Sequence, residues 1–228
     1  MRYSKKEQIY ICFEGLDGGG KTSVIEQLIT KYSDRGVPLT VMPEFPPELP
    51  SLEIFNALDN SLFVAEHFYK GAIPAFFYLI YARALCIQKV LDHKGIILID
   101  RYIHSMVMYQ GYFVYQDKRD FNSKKLFALI YDLFDLLQLP LPSLTFIFDA
   151  PINILIERLA QREKRKISDN EVKILREFQS AYREFSQTDD ETTLLVDASR
   201  SLNEVTDEVF GVIKNHWESQ SPNGTYSS

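Results

Sequence analysis

"FEGLDGGGKTS", Phe13 to Ser23, is the stretch that decides the fold. Gly15, Gly20, Lys21 and Thr22 stand at the spacing G-x-x-x-x-G-K-[ST]. Before them, "IYICFE" (Ile9 to Glu14) reads as a strand. After them, Lys21 to about Arg35 reads as a helix, closed by Gly36. That strand–loop–helix setting is the one in which the motif has a mechanism. Glycines let backbone wrap an anion closely, because a Cβ would block the approach or the dihedrals. The backbone of Gly15, Gly18, Gly19 and Gly20, then Lys21, Thr22 and Ser23 at the start of the helix, would face the phosphates. Lys21 would reach the β- and γ-phosphates, and Thr22 would ligate Mg²⁺. The loop predicts a bound nucleoside triphosphate.

Outward from this loop, short apolar runs alternate with longer amphipathic ones. "LTVM", "GIILID", "SLTFIFDA" and "TTLLVDA" read as further strands. "SLEIFNAL", Pro74 to about His93, "SKKLFALIYDLFDLL", "INILIERLAQR", "EVKILREFQSAYREFSQ" and "LNEVTDEVFGVIKNHW" read as helices. Strands that are apolar without alternation, separated by helices, require crossover connections. The expected fold is therefore α/β: a P-loop fold with a five-stranded parallel sheet flanked by helices on both faces. A small lid is expected at about residues 162–170, in the polar stretch "EKRKISDN", and a polar tail at about 219–228. No internal repeat or long linker breaks the chain, so one domain over 1–228 is expected.

Composition narrows the partners. The formal net charge of −6 argues against a nonspecific nucleic-acid binder. Any phosphate must be drawn by a few placed cations and by backbone dipoles. Cys12 and Cys86, the two cysteines, make neither a disulfide framework nor a zinc site, which suits a reducing, cytoplasmic setting. "MRYSKKEQ" has no apolar signal core, and the greasiest segment, "IPAFFYLIYARALCI", carries Arg83 and is too short for a membrane span.

Where the phosphate goes depends on other residues. Asp100 ends the run "IILID" and is followed by Arg101. A carboxylate there belongs near Mg²⁺. A motor-type ATPase would place an acidic residue next, to activate water, and a GTPase would carry an N-K-x-D guanine reader, which this chain lacks. Arg101 is a poor base and a good phosphate clamp. It points to a second phosphorylated molecule, hence to a nucleotide or nucleoside kinase.

At this point the residues resemble the thymidylate kinase family. "FEGLDGGGKTS" is similar to that family's phosphate loop. "DRYIHSMVMYQG" (Asp100 to Gly111) resembles its D-R-Y-x-x-S-x-x-A-Y-Q-G signature, with Met108 where Ala is usual. "LPSLTFIFDAP", "REFQSAYREFSQ" and "LLVDASRSLNEV" are similar to its later strand, its helix after the lid, and its last strand with the adenine-side turn. The resemblance runs from about residue 9 to 213. It implies ATP as phosphoryl donor, with Lys21 and Thr22 serving ATP and Mg²⁺ and Asp100 beside the metal. Asp17 matches a carboxylate placed near the acceptor, and Arg101 would bridge donor and acceptor phosphates. Tyr102, Ser105, Tyr109 and Gln110 would line the acceptor pocket, and Arg83 matches the arginine that hydrogen-bonds the base. The phosphate loop has no arginine, so the lid is implied to supply one: it offers Arg162 and Arg165, and Arg165, four residues before Asp169 as in the family's lid pattern, is the one implied to stabilise the transferring phosphoryl. His104 is read as an exposed residue without a role. The family is commonly homodimeric.

Two departures concern the acceptor. The family carries an R-E-P-G-like segment after the second strand, whose arginine holds the monophosphate. Here that place reads "VMPEFPPELP", which keeps Glu44 but has no arginine. The family also stacks the base on an aromatic four residues before the helix arginine. Leu79 stands there, with Phe76, Phe77 and Tyr78 beside it, and Met108 crowds the same pocket. The expected reaction is ATP·Mg²⁺ plus dTMP giving ADP plus dTDP. The alternatives are a deoxynucleoside kinase-like enzyme, a kinase for another monophosphate, and a nucleotide-binding protein that has lost catalysis.

Overall fold

Five runs of branched and aromatic residues build the sheet. They are β1 (Gln8–Gly15), β2 (Leu39–Met42), β3 (Gly95–Asp100), β4 (Leu144–Asp149) and β5 (Thr193–Asp197). Every pairing is parallel, in the order β2-β3-β1-β4-β5. Successive strand residues point to opposite faces. In β1, Ile11, Cys12 and Phe13 are all fully buried, so both faces of the central strand are covered. This is why the strands read as unbroken apolar runs rather than alternating ones.

The computed structural model describes residues 8–44, 77, 80–111, 122–187 and 192–220. Phe76, Tyr78, Leu79, the segment read as "SLEIFNAL" and the final eight residues lie outside them. The chain falls into two compact units. Met1–Met42, Val90–Asp100 and Pro142–Ser228 contain the sheet. Pro43–Lys89 and Arg101–Leu141 form the other.

In the sheet unit, α1 (Lys21–Ser33) buries Val24, Ile25, Leu28 and Tyr32, one face of a helical period. The Tyr32 ring packs on Phe210 of α7 (Leu202–Gln220), with centroids 4.9 Å apart. That last helix reaches Gln220, so Ser219 and Gln220, expected in a polar tail, are helical. Between them in the chain lie α5 (Ile152–Glu163) and α6 (Asp169–Ser186). The latter opens with a capping box, in which Ser168 and Glu171 satisfy each other's backbone N–H groups.

The second unit contains the helix at residues 80–90 (α2) as far as Lys89, α3 (Ile103–Ser105), a π-helical turn (Met106–Gly111) and α4 (Ser123–Leu136). Tyr102 packs edge-on against Phe134, at 5.2 Å between centroids, and its hydroxyl donates to the Pro140 carbonyl at 3.0 Å. His104 is buried, not exposed as its sequence context suggested. Its ring lies 4.6 Å from that of Phe127. The reason is local: Ile103, Ser105, Met106, Val107 and Met108 are all buried too, so this turn is enclosed on every side and has no solvent face.

Candidate active site

The phosphate loop takes its shape from contacts that exclude side chains. Gly15, the last residue of β1, pairs with Phe148 of β4 and has φ +122°. A Cβ there would sit 2.4 Å from the Phe148 carbonyl oxygen. Gly18, at φ +82°, presses on α5, and its Cβ would lie 2.7 Å from the Leu155 carbonyl oxygen. No other residue type fits either position without moving backbone. Gly19 N–H closes the turn on Leu16 O at 3.2 Å. Gly20 is the N-cap of α1 and brings no capping side chain, and the first turn holds no acidic residue. The positive end of the helix is thus left for an external anion. Lys21 is buried and folds back over the loop, its Nζ donating to Gly15 O at 3.0 Å and Leu16 O at 2.9 Å. Thr22 and Ser23 are exposed.

Charge is arranged around this loop. Asp17 is buried in it, and Arg162 Nη2 approaches its Oδ2 at 3.7 Å from the last turn of α5. Asp100 closes β3 in register with Phe13. Its Oδ1 is buried and accepts no hydrogen bond among the described residues. A buried carboxylate oxygen without a donor is costly unless a cation satisfies it.

The expected lid is a short connection. Arg162 is still helical, Lys164 ends α5 in the left-handed region at φ +53°, and Asp169 already belongs to α6. Arg165 is held by two carboxylates. Its Nη1 and Nη2 donate to Glu171 Oε2 and Oε1 at 3.0 and 2.6 Å, and Nη2 lies 2.6 Å from Glu163 Oε2. Burial alone would push the Glu171 carboxyl up. Hydrogen bonds from Arg165 and from the Ser168 amide and hydroxyl outweigh it and hold it at about 2.

In the second unit, Arg101 is the centre of a cluster. It is a buried, non-glycine residue at φ +62°. Such a conformation costs on the order of 1–3 kcal/mol and persists where surrounding contacts impose it. Those contacts are present: Nη1 donates to Ser105 Oγ at 3.0 Å, the guanidinium stacks 5.0 Å over the Tyr109 ring, and Nε lies 3.6 Å from Glu44 Oε2. Arg83 is buried in α2, as its apolar flanks require. Its Nη1 donates to Pro43 O at 3.0 Å, while Nε is buried with no hydrogen-bond partner among the described residues. Gln110 belongs to the π-helical turn, and its side chain lies outside the described residues, as does Leu79. Phe77 is exposed.

A family model for thymidylate kinase matches residues 13–209. The chain belongs to the thymidylate kinase family. Among its relatives is the thymidylate kinase of Ligilactobacillus salivarius (strain UCC118), 24% identical over 213 residues, covering 90% of this chain and 97% of that protein. The thymidylate kinase of Geobacillus thermodenitrificans (strain NG80-2) is 26% identical over 215 residues, covering 92% and 91%. The fold is that of the thymidylate kinase from Ehrlichia chaffeensis, with a TM-score of 0.61 at 21% identity, over 91% of this chain and 99% of that one. Enzymes of this family are nucleoside monophosphate kinases, a class of phosphotransferase.

Within this thymidylate kinase-type chain, sequence reading passed over two groups that touch the site. One is Arg158 of α5, which donates to the phosphate loop at Gly18 O, 3.3 Å away. Its signal was its place four residues before Arg162 and three after Leu155. The other is Glu171, whose Ser-x-x-Glu spacing from Ser168 marks a capping box but says nothing of Arg165.

Proposed function

We propose that this chain transfers the γ-phosphoryl group of ATP to dTMP, giving ADP and dTDP. The observation that carries the reading is the phosphate loop, with Lys21 folded across its carbonyls and the uncapped N-terminus of α1 behind it. Mg²⁺ fits the residues present: Asp100 Oδ1 is a buried oxygen in need of a cation, and Thr22 is an exposed hydroxyl at the head of α1. No group of three or more His, Cys, Asp or Glu side chains among the described residues could hold a metal ion. Asp100 and Thr22 would hold Mg²⁺ as few protein ligands, with phosphates and water completing its shell. When bound, the metal would neutralise charge on the phosphates as the bond to the leaving oxygen breaks.

The remaining roles belong to protein groups. Lys21 binds the β- and γ-phosphates. Arg101, next in the chain to Asp100, holds acceptor phosphate charge, oriented by Ser105 and Tyr109. Arg162 reaches the loop and stabilises the transferring phosphoryl, while Arg165, clamped by Glu163 and Glu171, fixes the connection that carries it. Arg83 reads the base through its buried Nε, and Tyr102 holds the wall of the acceptor pocket. Little covalent chemistry is needed, and alignment with charge neutralisation does most of it. We place the enzyme in the cytoplasm and expect a homodimer, both by analogy with the family.

One observation favours a second reading. Glu44 lies 3.6 Å from Arg101, and the segment "VMPEFPPELP" has no arginine beside it to hold a monophosphate. A carboxylate there opposes a monophosphate and could instead take a proton from a nucleoside hydroxyl. An acceptor panel with coupled ADP release decides. dTMP, dUMP, dCMP, dGMP and thymidine are compared under one set of conditions. The proposed function expects dTMP to be turned over, with a KM raised about ten- to a hundredfold by the missing charge-assisted contact. Preference for thymidine over dTMP would establish the nucleoside reading. No turnover with any acceptor would leave a nucleotide-binding protein.

A further inference from the structure

Arg158 has no part in the roles assigned above, yet its placement is specific. A single nitrogen, Nη1, donates to two carbonyls from distant parts of the chain, Gly18 O at 3.3 Å and Ala198 O at 2.9 Å. Gly18 belongs to the phosphate loop. Ala198 follows β5 and opens the turn "ASRS", whose sequence resembles the family's adenine-side turn. Ala198 is also held from its other side, because its N–H donates to Asp149 O at 2.7 Å. Asp149 in turn accepts from Gln179 Nε2 at 2.6 Å and Arg183 Nε at 2.7 Å. The helix bearing Arg158 is anchored by Leu155 and Leu159, both fully buried. The guanidinium is thus a brace between two loops, mounted on a fixed helix.

We infer that Arg158 is a positioning residue for ATP, setting the distance between the loop that takes the phosphates and the turn that takes the base. The inference rests on the ATP reading above. A ligand that spans two half-sites gains fully from both only when their spacing is set before it binds. Arginine suits this task because it is always charged and its donors form a rigid planar fork, whereas a lysine ammonium sits on a flexible stem. The brace acts through backbone, so it needs no contact with ATP itself.

The test is direct binding to the full chain by calorimetry, with ATP, inorganic tripolyphosphate and adenosine as separate probes, on wild type, Arg158→Ala and Arg158→Lys. We expect Arg158→Ala to weaken ATP by about tenfold or more, the loss expected for charge-assisted hydrogen bonds. Tripolyphosphate and adenosine, which each need one half-site, should change by less than about threefold on the same scale. Arg158→Lys should recover part of the ATP loss. In steady state the KM for ATP should rise while the KM for dTMP stays put. Unchanged ATP affinity in a folded Arg158→Ala protein overturns the inference. Equal losses for all three probes overturn it too, since Arg158 would then shape each half-site separately. If Arg158→Ala does not fold, the same split in Arg158→Lys decides. A wild-type chain that binds no ATP removes the function reading first, and this inference with it.

Discussion

Replacing Glu171 with Gln tests whether the Arg165 clamp is real, and its size follows from the geometry. The Glu171 side chain is 8% exposed and that of Arg165 32%. The carboxyl is lowered from 4.5 to about 2 by hydrogen bonds that outweigh its burial. At about 1.4 kcal/mol per unit, that shift sets a ceiling of roughly 3 kcal/mol. Arg165 is partly solvated and keeps Glu163 at 2.6 Å, so its charge is not stranded when Glu171 is neutralised. The expected loss is nearer 2 kcal/mol, which for a chain of this size lowers the melting temperature by about 4–8 °C. The sign with pH follows from the depressed folded value. The stabilisation is complete well above pH 4.5, where the unfolded carboxyl is also ionised, and it drains away as pH falls from 4.5 towards 2. Thermal and urea unfolding of wild type and Glu171→Gln should therefore differ most at neutral pH and converge in acid. Arg165→Ala should reproduce most of the loss, and the double variant should cost less than the sum. Identical melting at neutral pH, or a gap that widens in acid, would refute the clamp.

Further outcomes follow from the loop and its arginines. Lys21→Ala should lower turnover at least about a hundredfold with the fold retained, checked by coupled ADP release beside circular dichroism. Arg162→Ala should lower kcat more than Arg165→Ala, with little change in ATP affinity for either, because only Arg162 approaches the phosphate loop; the opposite ranking in steady-state kinetics would give the transferring phosphoryl to Arg165. Gly15→Ala should destabilise by about 2 kcal/mol or more in urea unfolding, since it combines φ +122° with a Cβ 2.4 Å from a β4 carbonyl; a midpoint equal to wild type would mean the strand end shifts freely.

Much of this protein is legible along the chain. The positions of β1, β3 and β4, the helices α1, α4 and α5, and the loop at Gly15 to Thr22 can be read from runs of apolar residues, from glycine and from period. These are local signals. They report which dihedrals a segment accepts and how many of its faces are buried. The family likeness is legible for the same reason, since its loop and its D-R-Y segment are contiguous. What the chain does not display is who meets whom across sequence distance. The order β2-β3-β1-β4-β5 places Gly15 against Phe148, and only then does the need for glycine at the end of β1 become a matter of collision. Arg165 looked like a free lid cation beside Arg162. Packing gives it to Glu171, six residues on, and gives Arg162 to Asp17, 145 residues away. A lone histidine carries no pattern, so nothing in the chain marks His104 as buried; its whole turn is enclosed, and its ring lies 4.6 Å from Phe127 in another helix. Arg158 is the clearest case, with carbonyl partners 140 and 40 residues off. Backbone carbonyls are present at every residue, so no sequence marks the ones a guanidinium will find. Their selection is made by the packing of α5 against the loop and the turn, which exists only once the chain is folded.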